Sequence, residues 1–73
     1  MKDNFAIRLI RMRNLKGLRI TDLAKLMGVS GGMLCNLEAG KVQPAGRTLI
    51  KACRVLECSA DYLLCLTDNP DPR

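Results

Sequence analysis

Few side chains in this sequence are equipped for chemistry. Histidine is absent, and the four cysteines stand at positions 35, 53, 58 and 65. Zinc sites draw on closely spaced cysteine pairs or on cysteine with histidine. No C-x-x-C occurs, so no metal is expected. Nucleophilic and acid–base catalysis are unsupported as well, because no histidine activates a thiol or a hydroxyl and no phosphate-binding glycine loop is present. The sequence predicts a non-enzyme without cofactor, metal or small-molecule ligand. Cys53 and Cys58 fall where the local pattern wants apolar residues, and read as small buried side chains. Cys35 is expected near the exposed side of a helix, as an inert thiol.

The remaining chemistry is that of charge. Net charge is +5 over 73 residues. Residues 1–54 carry 11 basic and 3 acidic side chains, or +8; residues 55–73 set Arg73 against Glu57, Asp61, Asp68 and Asp71, or −3. A basic body suits a polyanion. On charge alone, nucleic acid and a merely solvated surface stand level. The length is that of one domain, and 48% of the residues are apolar with one Phe, one Tyr and no Trp, so the core must be aliphatic. No apolar run approaches the roughly 18 residues of a membrane span, and the N-terminal "MKDNFAIRLIRMRN" lacks a signal-peptide h-region. No membrane partner is expected, and the default location is the cytoplasm.

The elements that position these charges are short helices. Phe5, Leu9 and Met12 share one face of a first helix from about Asn4 to Lys16, capped by Asp3 or Asn4 and stopped by Gly17. A second covers about Ile20 to Met27, with Leu23, Ala24 and Met27 inward and Gly28 ending it. Ser30 caps a third, held on the core by Leu34 and Leu37 and stopped by Gly40. A fourth covers about Gly46 to Leu56, with Leu49, Ala52, Cys53 and Leu56 inward. A fifth starts at the cap Ser59 and carries Leu63, Leu64 and Leu66. No segment alternates with period two, so the predicted fold is all-α, a compact five-helix domain over residues 1–66. Residues 67–73, "TDNPDPR", read as a short polar tail, unstructured or a brief extension. With no effector domain expected after Arg73, regulation would come through concentration, dimerisation or a partner.

Only "GVS" separates the second and third helices. So tight a turn forces a steep crossing. Ala24 permits the close approach, Gly28 tolerates the turn, and Val29 plugs the corner. "GLRITDLAKLMGVSGGMLCNLEAGKVQP" resembles the helix-turn-helix of the lambda-repressor and Cro-like (Xre) DNA-binding proteins. The resemblance extends through "RMRNLKGL" and "TLIKACRVLECSADYLL", and covers about Phe5 to Leu66.

That resemblance implies a transcriptional regulator, a repressor by preference. It would bind a pseudo-palindromic double-stranded operator as a homodimer, with its third helix in the major groove. The base-reading positions fall on Gly31, Gly32, Met33 and Asn36. Arg19, Ser30, Lys41, Gln43 and Arg47 match backbone-contacting positions, and Arg13 with Glu38 match an internal ion pair. Tyr62, Leu63, Cys65 and Leu66 supply more apolar surface than one short helix needs, and are expected at the dimer interface. Three features depart from the family pattern. Ile20 stands where a phosphate-contacting Gln is frequent. Ala45 and Gly46 leave the fourth helix without a strong cap, so its start should fray. Two base-reading positions are glycine. These glycines, with apolar Ile7, Ile10, Leu15 and Ile20 off the core stripes, motivate a second reading: a protein-interaction module that kept the fold and reads DNA weakly or not at all.

Overall fold

The computed structural model describes residues 3–71. Five α-helices follow in order: α1 Phe5–Leu15, α2 Ile20–Met27, α3 Gly31–Glu38, α4 Gly46–Leu56 and α5 Ala60–Leu63. No strand occurs among the described residues. Nor is any helix there long and apolar enough to cross a membrane.

The boundaries have local causes. The Asn4 carboxamide accepts the Ile7 N–H and starts α1, the Ser30 hydroxyl accepts the Met33 N–H at 3.0 Å, and the Ser59 hydroxyl does the same for Tyr62. Asp22 accepts the Arg19 N–H and so tethers the start of α2. Gly28 ends α2 at φ +71°, a left-handed conformation open to glycine at no steric cost. The stop of α4 is less conventional. Glu57 sits at φ +55°, and the Cys58 N–H beyond it donates back to the Cys53 carbonyl. Burying Cys58 against the core under that turn completes the αL-terminated end.

One aliphatic core joins all five helices. Leu9 and Met12 of α1, Leu23, Ala24 and Met27 of α2, Leu34 and Leu37 of α3, Ala52 and Leu56 of α4, and Leu63 of α5 are buried together. Phe5, Val29, Leu49 and Cys53 pack at its margin, only partly buried. Burial of Cys58 pushes its thiol up to about 11, so this cysteine stays a neutral apolar side chain. Cys35 is exposed.

Two expectations require correction. The fifth helix is four residues long, and its expected dimer surface is half core: Tyr62 and Leu63 are buried, because α5 must close the end of the domain over α1 and α4. Cys65 and Leu66 are exposed, with Leu64 beside them. The tail is not a free extension over its described part. Arg8, buried on α1, donates to the carbonyls of Tyr62 and Thr67 and to the Asp68 carboxylate, while the Ser59 N–H donates to the Pro70 carbonyl. Residues 67–70 are thereby folded back onto the domain. The last two tail positions, 72 and 73, lie outside the described residues.

Candidate nucleic-acid interface

The candidate surface is built on α3 by exclusion. Leu34 and Leu37, three residues apart, turn one side of the helix into the core. Gly31, Gly32, Met33, Cys35 and Asn36 are left exposed. Gly32 and Asn36 lie one turn apart at the centre of that exposed face. Neither glycine is demanded by the fold: a Cβ built at either meets nothing within 4 Å, and neither has positive φ. Their bareness leaves the backbone of the first turn open to a partner. In that turn the Met33 N–H is taken by Ser30, while the first two amides of any α-helix have no acceptor within it.

A second anchor fixes the far end of α3. The Arg13 guanidinium forms a two-pronged pair with Glu38, Nε to Oε2 at 2.7 Å and Nη2 to Oε1 at 3.1 Å. Its remaining Nη1 donates to the Leu18 carbonyl at 2.9 Å. The Glu38 side chain is 7% exposed and that of Arg13 14%. A planar fork on a carboxylate defines an orientation as well as a distance. One side chain thus ties α1, the turn before α2 and the end of α3 into a single frame.

Exposed cations and donors follow the face in sequence. Lys41 lies three residues past the end of α3, its N–H closing the helix end on the Asn36 carbonyl. Gln43 is exposed in the next loop, and Arg47 is exposed in the first turn of α4. Among the described residues, neither Lys41 nor Arg47 enters an ion pair. Arg19 differs: 83% exposed, it rests on the Asp22 carboxylate at 3.2 Å. Hydrogen bonds from the Arg19 guanidinium and N–H hold the Asp22 carboxyl below its usual range. A phosphate must compete with that carboxylate for Arg19, but meets no such competitor at Lys41 or Arg47. Ser30 has used an oxygen lone pair as a cap and keeps its O–H to donate.

Of the residues expected in this site, Gly31, Gly32, Met33 and Asn36 therefore share one exposed face, and Lys41, Gln43 and Arg47 follow it in sequence and are exposed themselves. Ile20 is partly buried against the core, which explains an apolar residue at that position. Ala45 caps α4 without a side-chain hydrogen bond, yet the helix begins at Gly46 as the sequence pattern places it. A groove of about 220 Å³ escaped sequence reasoning; Phe5, Leu37, Val42, Gln43 and Leu64 are among its walls. Its walls are far apart in sequence, so no local pattern signalled it.

Comparison with known proteins agrees with this geometry. A helix-turn-helix family profile matches residues 9–63. The HTH-type transcriptional regulator YobD of Bacillus subtilis is 33% identical over 66 residues, covering 90% of this chain. The chain spans 59% of that relative's length. Among solved structures, the P22 c2 repressor, determined with a synthetic operator, superposes with a TM-score of 0.82 at 30% identity, covering 86% of this chain and 96% of that one. The N-terminal DNA-binding domain of SinR from Bacillus subtilis superposes at 0.77 with 28% identity, covering 81% and 87% of the two chains. The match over most of the chain and the superposition on repressor domains agree: the chain belongs to the lambda-repressor and Cro-like (Xre) helix-turn-helix family of transcriptional regulators.

Proposed function

We propose that this chain binds a specific double-stranded DNA operator as a homodimer, as a transcriptional repressor, with α3 in the major groove. The observation that carries the reading is the α3 face: exposed along its length, pinned from behind by Leu34, Leu37 and Glu38, and followed in sequence by exposed Lys41 and Arg47, which enter no ion pair among the described residues. The likeness to a repressor solved with its operator supports the same reading. Asn36 is the reader best suited to adenine, and Met33, 43% exposed, to the thymine methyl. Ser30, Lys41, Gln43 and Arg47 hold phosphates, and Arg19 joins them when DNA displaces Asp22. Bare Gly31 and Gly32 let the duplex come close to the backbone. The role is non-enzymatic and cytoplasmic, and the half-sites lie about 34 Å apart, one turn of DNA.

Binding weakens with salt, by about 0.9 logarithmic units per tenfold salt for each phosphate neutralised, with about four to six phosphates per protomer. Selection of bound sites from random DNA yields the operator. On it, Asn36→Ala loses about 1–3 kcal/mol with dimerisation unchanged. Unchanged affinity in that variant, or no salt-dependent binding even at low ionic strength, favours the second reading, a protein-interaction module. The observation on its side is that the reading face offers two glycines and an exposed Met33 where side-chain donors would serve DNA better.

A further inference from the structure

Internal ion pairs take up most of the acidic groups. Asp3 serves Arg8 and Arg11, Asp22 serves Arg19, Glu38 serves Arg13, Glu57 serves Lys16 and Asp68 serves Arg8. Among the described residues, Asp61 and Asp71 are the carboxylates outside these pairs. The same subtraction leaves Lys25, Lys41, Arg47, Lys51 and Arg54 as the uncommitted cations. Lys41 lies in the loop after α3, and Arg47, Lys51 and Arg54 lie along α4.

Helix α4 carries no carboxylate at all. Arg47, Ile50, Lys51 and Arg54 follow the i, i+3, i+4, i+7 spacing of a stripe that packs against another element. Here all four are exposed, and Ile50 is 53% exposed at the middle of the stripe. The face that α4 needs for its own core is the other one, with Thr48, Ala52 and Leu56. Helix α5, which packs on α4, presents exposed Asp61. Adjoining helices therefore offer opposite charges that do not meet within one chain.

We infer that the outward face of α4 docks on a second copy of this chain, with Lys51 and Arg54 of one protomer against Asp61 of the other and Ile50 filling the space between. This rests on the homodimer proposed above and assigns its contact surface. A two-fold interface is reciprocal, so one cation–carboxylate set is made twice. The alkyl stems of Lys51 and Arg54 extend the apolar contact around Ile50 while their heads reach the carboxylate. A second copy suits this surface better than a further stretch of DNA, because Asp61 would repel phosphate and attracts a cationic helix.

Charge reversal tests the assignment without DNA. Sedimentation equilibrium of the full chain gives a dimer for the parent; a parent that stays monomeric overturns the inference. The double variant Lys51→Glu/Arg54→Glu and the variant Asp61→Lys each weaken self-association by at least about tenfold, through like charges brought face to face. Mixed in equal amounts, the two reversed chains recover a dimer, since every contact then joins opposite signs; circular dichroism of each confirms that it is folded. Reversed variants that self-associate like the parent, or a mixture that stays monomeric, overturn it. Failure of the DNA reading looks different: a parent that dimerises, responds to the charge swap and ignores DNA.

Discussion

Two arginines five residues apart on α1 do opposite kinds of work. Arg13 gives its fork to one carboxylate, Glu38, and holds the end of α3. Arg8 divides its donors among two main-chain carbonyls, Asp3 and Asp68, and its guanidinium lies 4.4 Å from the Tyr62 ring centroid. The first is a lock on a single carboxylate, with one further bond to the Leu18 carbonyl and both charged side chains mostly covered; the second is a many-body clasp whose acidic members are more open, Asp68 being 98% exposed. A lock concentrates its free energy in one pair, so breaking it strands a buried charge. A clasp spreads it over contacts that water replaces one at a time.

Arg13→Ala should be the more damaging of two matched truncations. It leaves Glu38 buried and unpaired, for a cost of about 3 kcal/mol, read as a lowered urea midpoint. It also loosens the far end of α3, so operator affinity falls even where the variant is still folded. Arg8→Ala should cost about 2 kcal/mol through Tyr62 packing and the lost main-chain bonds, and leave operator affinity intact. Equal loss of DNA binding in both variants would erase the distinction.

Double-mutant cycles sharpen it further. Arg13 with Glu38 should show a large coupling; Arg8 with Asp68 should show about 0.5 kcal/mol or less, because that carboxylate is solvated. The smallest effect is on acid titration. The Arg11 guanidinium beside Asp3, with Arg8, holds that carboxyl below its usual range, and Lys16 does the same for Glu57. A depressed folded-state value means the contribution is present above the unfolded value, about 4, and fades as pH falls through the folded one. The melting temperature should therefore decline below about pH 4, and Asp3→Asn should reduce that decline.

The α2–α3 half was legible because its causes are local. Ser30 caps because a hydroxyl three residues ahead of Met33 reaches its N–H; Gly28 ends α2 because the turn needs positive φ; Leu34 and Leu37 share a face by helical geometry. The role of Arg13 came with the family pattern, and the structure places its partner where that pattern has it. The α5 end was misread for the converse reason. Tyr62 and Leu63 looked like surplus surface because a four-residue helix cannot show which of its sides will be covered. Thr48, an unremarked hydroxyl on α4, is buried, while Leu49 beside it is only half so.

The sequence by itself determined the first three helices with their caps and stops, most of the aliphatic core and the charge asymmetry, since each depends on neighbours within a turn or two or on a simple count. Tertiary structure decided the fate of individual charges. Arg8 and Arg11 differ in sequence only by place on one helix, yet the first is buried among partners from residues 62–68 and the second lies at the surface. Burial of a charge depends on which groups the fold brings to it from far along the chain, and nothing within a helical turn of Arg8 carries that information.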